Sequence, residues 1–226
     1  MHEQNIYDNP TFFDGYRKLR KNPLSANAVI EQPALFSLCP EFKGKTVLDL
    51  GCGYGENCKR IADAGAEQVV GIDISAKMLA VANTENSGET ITLLHLSMNQ
   101  LSKLSQTFDI VLSSLAVHYI EDFDTLAHNI HRLLNPGGLF IFSQEHPLTT
   151  ALGNYGEPGE RTTHWIVDGV IKYHRSFSDI VNALAAAGFV IEKSLEPRPH
   201  EEVIQQDPSY QQFVHKPLFL LIRAKA

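Results

Sequence analysis

The densest chemical signal in the chain is the run Val47-Leu48-Asp49-Leu50-Gly51-Cys52-Gly53-Tyr54-Gly55. An apolar stretch that stops in alternating glycines lets backbone approach a ligand closely and aims N–H groups at it. Taken alone, Gly-x-Gly-x-Gly also suits an ordinary tight turn. Asp73 closes a second apolar run, Val69–Ile72, 22 residues after Gly51. From that position a carboxylate accepts hydrogen bonds from both hydroxyls of a ribose, so the pair points to a nucleoside. A dinucleotide site would delay its third glycine, as Gly-x-Gly-x-x-Gly. Here Asp49 also stands just upstream, where it would repel a pyrophosphate but suits a cationic amino-acid group.

The elements that must position these residues follow from pattern. Thr46–Leu50 reads as a buried parallel strand, followed by a helix over Glu56–Ala64 that Gly65 ends. The alternation repeats: QVVGIDI as strand, Ser75 capping a helix AKMLAVANTE, strands at TITLLHL and FDIVLSS, a helix near Asp124–Leu134, and strand GGLFIFS. Such βαβ units predict a parallel sheet covered on both faces, with ligands at its carboxyl edge where strand order reverses. Residues 145–172 break the rhythm with Gly, Pro and Thr and predict an inserted loop or hairpin. A helix near Ser178–Ala187, a strand at FVIEKSL, a Pro-rich loop over Glu196–Pro208 and a strand at PLFLLIRA complete the chain. Residues 1–44, interrupted by Pro10, Pro23, Pro33 and Pro40, form an appended segment.

Composition bounds the function. The 226 residues suit one α/β domain, and 43% hydrophobic with 20% charged residues suits a packed core. A net charge of −7 disfavours a surface built to wrap phosphate backbones, so no nucleic-acid partner is expected. No apolar run approaches the ~18 residues of a membrane span, and the first residues lack the basic-then-apolar order of a signal peptide. A cytoplasmic location without membrane attachment is the expectation. Cys39, Cys52 and Cys58 make no Cys-x-x-Cys pair and are expected to be reduced, non-metal thiols. The pattern carries no signature of oligomeric state.

The runs VLDLGCGYG, GIDIS, FDIVLSSLAVHYIEDF and LLNPGGLFIFSQEHP, in this order and spacing, resemble the successive motifs of class I S-adenosylmethionine-dependent methyltransferases. The flanks resemble a small bacterial branch of that family. The resemblance implies a single-domain, Rossmann-like, doubly wound α/β fold. Its seven-stranded, mostly parallel sheet would have the order 3-2-1-4-5-7-6 with the last strand antiparallel. Residues 1–44 would be a helical lid, 45–226 the methyltransferase domain and 145–175 an insertion after strand 5 facing substrate. The implied cofactor is S-adenosyl-L-methionine and the implied partner a small-molecule acceptor. Asp49, Gly51 and Gly53 would line the methionine end of the cofactor, Asp73 would hold the ribose, and Ile74 would pack on adenine. Met78 would be a second apolar wall or plain core. The family often has an acidic residue after the third strand to meet the adenine amino group; this chain reads His95-Leu96-Ser97-Met98-Asn99, leaving Ser97 or the Met98 backbone. Ser114 and Leu115 would floor the pocket beside the methyl group. Within the aromatic and basic run from Tyr7 to Lys21, Tyr16 or Arg20 would reach the cofactor carboxylate if the segment is a lid; the other reading is an amphipathic helix packed for stability.

Methyl transfer is an in-line displacement on an already activated cofactor, so the protein mainly positions the reactants and excludes water. Where the acceptor must lose a proton, His118 is the first candidate base, because it lies just past the fourth strand and titrates near neutrality. It reads equally as a hydrogen-bonded pocket wall. Glu145 and His146 follow the fifth strand and would orient substrate or serve an ordinary loop. Tyr173, His174 and Arg175 are further substrate-contact candidates. His128 and His131 share a helix face with no third ligand, so no metal is expected and a solvated face is. A nicotinamide-dependent oxidoreductase is the rival reading, against which the glycine spacing, Asp49 and the lack of Tyr-x-x-x-Lys all count. A cofactor-binding subunit without catalysis is the other.

Overall fold

The prolines of the N-terminal segment start helices as well as interrupting them. In this computed structural model, which describes residues 3–226, Pro10 opens α1 (Pro10–Arg20), with the Asn9 side chain accepting from the Phe12 N–H. Proline is suited to that first position because its missing N–H would have no helical partner there. Pro33 sits likewise in the first turn of α2 (Gln32–Ser37), after one wide π turn at Asn27–Glu31.

From Thr46 the expected alternation appears. The elements are β1 (Thr46–Leu50), α3 (Glu56–Asp63), β2 (Gln68–Asp73), α4 (Ala76–Glu85), β3 (Ile91–His95), β4 (Phe108–Ser113), α5 (Phe123–Leu133) and β5 (Leu134–Glu145). Then come α6 (Pro147–Thr150), β6 (Gly159–Trp165), β7 (Val167–His174), α7 (Phe177–Ala186), β8 (Val190–Leu195), α8 (Glu201–Gln206) and β9 (Phe219–Lys225). One sheet runs β3-β2-β1-β4-β5-β9-β8, with β9 antiparallel to both neighbours and the other pairings parallel. Numbered within that sheet, this is the 3-2-1-4-5-7-6 order. The strands β6 and β7 stand apart as an antiparallel hairpin, so the irregular insertion is a short helix and a ribbon.

Both faces of the sheet are covered. Leu48 and Leu50 of β1 enter a core with α5 and α7, and Val47 enters the opposite core with Ile61 of α3 and Leu79 of α4. Each of these fully buried β1 side chains contributes about 1.5–3 kcal/mol. Strand order reverses between β1 and β4, which opens a crevice at their carboxyl ends.

Three sequence expectations need correction. The stretch Glu196–Pro208 is not all loop: α8 occupies Glu201–Gln206, and Pro208 opens a 3-10 turn to Val214 that Asp207 caps. Strand β5 is longer than GGLFIFS, so Glu145 is its last residue, paired with Phe219, rather than part of the loop beyond. His128 is exposed, but His131 is half-buried, its ring 5.1 Å from that of Phe189, because Gly188 leaves room for it against α5. No helix among the described residues is long and apolar enough to cross a membrane.

Candidate active site

The turn after β1 is built by glycines that no other residue replaces cheaply. Gly51 and Gly53 have φ of +71° and +55°, and a Cβ on Gly51 would lie 2.6 Å from that of Ala116. The Gly53 N–H donates to one oxygen of Asp73 at 2.8 Å, and the Ser75 N–H to the other at 2.8 Å. The turn and the aspartate are thereby locked together. Burial pushes the Asp73 carboxyl up, and these two backbone donors oppose the shift. Its remaining lone pairs are available to ribose hydroxyls.

Asp49 is buried beneath the turn. Its Oδ2 accepts from Cys58 Sγ at 3.3 Å, and its Oδ1 has no partner among the described residues. Burial pushes this carboxyl up to about 7. A buried acceptor left open is the feature expected where a donor arrives with a ligand, and a cationic amino group would serve.

Three recesses meet at the crevice. A slot of ≈ 90 Å³ is bordered by Gly51, Asp73, Ile74, Met78, Met98 and Leu115. A smaller one of ≈ 50 Å³ lies at Gly53, Arg20 and Ser114. A cavity of ≈ 480 Å³ opens toward His118, Glu145, Trp165 and Tyr210. Tyr16 and Leu115 border all three. Leu115 holds the left-handed conformation, φ +51°, uncommon for a leucine, where β4 turns away from the sheet.

The N-terminal segment supplies the outer wall. Tyr7 makes edge-to-face contacts with Phe12, Tyr16 and Tyr119 at centroid separations of 5.0, 5.3 and 5.9 Å, and Trp165 of the hairpin joins Tyr16 at 5.8 Å. Burial raises the phenol pKa of Tyr7 and Tyr16, so both remain hydroxyl donors. Arg20 is paired with Glu56 and donates to Asn27, which sets its guanidinium between the smaller recess and the large cavity.

The expected site residues divide. Gly51, Gly53, Asp73, Ile74, Met78, Met98, Ser114, Leu115, Tyr16 and Arg20 border the recesses, and His118 and Glu145 border the large cavity. Met78 is both wall and core, with 1% of its surface exposed. Ser97 borders none of the three recesses; its hydroxyl donates to the Glu3 carboxylate and accepts from the Asn99 N–H at 3.0 Å. His146 is also elsewhere. Its Nδ1 accepts from the Leu148 N–H at 3.1 Å, which leaves the proton on Nε2 to donate to Glu196 at 2.9 Å. Tyr173, His174 and Arg175 face another groove, between β7 and α7; His174 is tied to Thr150 and the Tyr155 carbonyl, and Arg175 donates to the carbonyls of Ile120 and Glu121.

His118 is buried, with Nδ1 unpartnered among the described residues. Desolvation pulls its pKa down to about 4, against the nearby Glu145 charge, so the imidazole is neutral at pH 7. Glu145 is ion-paired with the buried Lys172, whose ammonium also lies 5.0 Å from the Trp165 ring centroid.

Sequence reasoning missed four contributors. Glu31 is fully buried and accepts from Asn27, Gln32, Ser114 and Ser143, tying the π turn to the ends of β4 and β5. Glu3, Trp165 and Lys172 complete the walls or their support. None lies in a glycine motif or at the carboxyl edge of the main sheet; Trp165 ends the hairpin strand β6, and alternation along β7 was the one available signal, which concerned Lys172 alone.

A sheet of this order, with a glycine turn and a ribose-spaced carboxylate at its switch point, defines the class I methyltransferase architecture. The family described as "Methyltransferase domain" matches residues 48–142. The S-adenosylmethionine dependent methyltransferase of Mesorhizobium loti is 36% identical and superposes with a TM-score of 0.81 over 92% of this chain and 100% of that one. An uncharacterized protein of Haemophilus influenzae is 38% identical over 97% of this chain and 96% of its own length. The ubiquinone biosynthesis O-methyltransferase of a Chelativorans species is 31% identical over 66% of this chain and 60% of that enzyme. The chain belongs to the S-adenosylmethionine-dependent methyltransferases, and S-adenosylmethionine is its cofactor.

Proposed function

We propose that the protein methylates a small molecule in the cytoplasm and that the acceptor occupies the ≈ 480 Å³ cavity. The observation that carries this reading is the shared border: Tyr16 and Leu115 wall both the cofactor recesses and the large cavity, so the two occupants would meet there. The volume suits a small ligand, and its lining mixes Tyr, Trp and Phe with polar side chains such as Asn27, His118 and Glu145. The three free thiols fit a reducing compartment.

When bound, S-adenosylmethionine supplies a methyl carbon activated by its sulfonium. The Gly51 turn and Asp49 would hold the amino-acid end, with Arg20 as partner for the carboxylate. Asp73 would hold the ribose. Ile74, Met78 and Met98 would sandwich the base. Tyr7, Tyr16, Tyr119 and Trp165 exclude water from the junction. His118 is the proton acceptor: its neutral ring borders the cavity, its Nδ1 has no hydrogen-bond partner among the described residues, and the ring would take the acceptor's proton. Glu145 faces the imidazolium so formed and steadies its charge.

Incubating the protein with methyl-tritiated cofactor and a fractionated bacterial extract tests the reading. Label is expected in the low-mass fraction. Label confined to protein or nucleic acid would overturn it.

A further inference from the structure

We propose that Glu3 is the acidic residue that recognises the adenine amino group, so that the N-terminal arm, rather than the loop after β3, reads the cofactor's base. This rests on the cofactor assignment above. The end of β3 presents Leu96, Ser97 and Met98, none of them acidic. Leu96 and Met98 border the slot as apolar walls, together with Ile74 and Met78. A purine clamped between such walls, with its ribose at Asp73, would direct its amino edge to the rim beyond Asp73, away from the glycine turn. Glu3 borders the slot at that rim, where its Oε1 accepts from the Ser97 hydroxyl at 2.7 Å. A carboxylate offers about four lone-pair sites, so ample capacity remains for an exocyclic N–H. Ser97 thus acts as a positioning residue that holds Glu3.

The arm is fixed along its length. Gln4 donates to the Gly169 carbonyl at 2.8 Å and accepts from the Ile171 N–H at 2.9 Å, both on the hairpin. Asn5 donates to the Ile74 carbonyl at 3.2 Å. Asp8 accepts from the Ser75 hydroxyl and from the Lys77 N–H at the start of α4. These anchors place the arm relative to β2, α4 and β7, the elements that frame the base. Among the described residues, Glu3 is the one carboxylate apart from Asp73 that borders this slot.

The discriminating ligand is S-inosylhomocysteine, in which the adenine amino group is replaced by a carbonyl. Calorimetric titration of the full chain with S-adenosylhomocysteine and with this analogue is expected to show the adenosyl compound binding at least about 10-fold more tightly, since the analogue sets an acceptor against a carboxylate. In Glu3→Gln the side chain keeps its shape and its contact with Ser97 but can donate. Preference is then expected to vanish or invert, with adenosyl affinity falling about 10-fold. An unchanged ratio in Glu3→Gln, or equal weakening of both ligands, would overturn the proposal and leave the arm a structural strap. Failure of the wild type to bind either ligand would instead overturn the cofactor assignment beneath it.

Discussion

Cys58 donates its Sγ–H to one oxygen of Asp49 at 3.3 Å, while the other oxygen of this buried carboxylate has no donor among the described residues. A group in that state destabilises the free protein once ionised. Its folded pKa, about 7, lies above the ordinary 3.8. The folded state therefore holds the proton more tightly, and the stability linked to it is fully present below pH 3.8 and lost as pH rises to about 7. Asp49→Asn escapes this loss. The variant should be more stable than wild type at pH 8 by about 1–3 kcal/mol, with the advantage shrinking at pH 5, as thermal melts at both pH values would read.

With the cofactor's amino group at Asp49, as proposed, the same carboxylate would make binding pH-dependent. A cationic amino group favours ionised Asp49, so binding expels a proton below pH 7 and proceeds without that cost above it. Affinity for S-adenosylhomocysteine is expected to rise with pH, by at most about 10-fold per pH unit, and to level off above pH 7. Asp49→Asn should flatten the profile and bind weakly throughout.

His118→Gln separates a proton acceptor from a pocket wall. Loss of a general base is expected to lower kcat by about 10²–10⁴-fold with cofactor affinity nearly unchanged. Equal losses in both would assign it to the wall. Stability adds an independent readout. His118 has a folded pKa of about 4 against 6.5 when free, so its neutral form supports the fold above pH 6.5 and that support drains away as pH falls toward 4. Denaturant melts of His118→Gln should lack this part of the acid slope.

Lys172→Met tests the pair behind His118. The ammonium lowers the His118 pKa and holds Glu145, whose charge raises it. Removing Lys172 shifts both influences the same way, and NMR titration of the imidazole should show its pKa above that of the wild type. A variant whose His118 titrates as before would mean that neither Lys172 nor Glu145 acts on it.

Glu31→Ala would strand the donors of Asn27, Gln32, Ser114 and Ser143 in the interior. A loss of about 1–3 kcal/mol is expected, chiefly because the buried Ser143 hydroxyl is left without its acceptor. Urea titration measures it, and Glu31→Gln, which keeps acceptor oxygen and volume, should recover part of it.

What the sequence revealed and what it concealed have physical reasons. The Gly51 turn and Asp73 were legible because their chemistry is local: positive φ needs glycine, and a ribose fixes the distance between a turn and the end of the next strand. Strand order was legible through the resemblance of the runs that carry these motifs, and the alternation of Val47 with Leu48 accounts for the two cores. Glu31 was not, since its donors lie as far as 112 residues away and nothing in an irregular turn announces them. His146 read as a site residue because it follows β5, yet the helix that begins at Pro147 needs an N-terminal acceptor, and the imidazole is that acceptor. Arg175 likewise has the chemistry for substrate, but the carbonyls of Ile120 and Glu121 claim it.

Among the described residues the hairpin of β6 and β7 pairs with no strand of the main sheet, yet it lends Trp165 to the large cavity and Lys172 to Glu145. Its length can therefore change without shifting the register of any strand that carries the glycine turn or Asp73. The ribbon is also tied to the N-terminal arm, because Gln4 bonds to Gly169 and Ile171, so a ribbon of new length or sequence leaves the arm in place only where those two contacts survive.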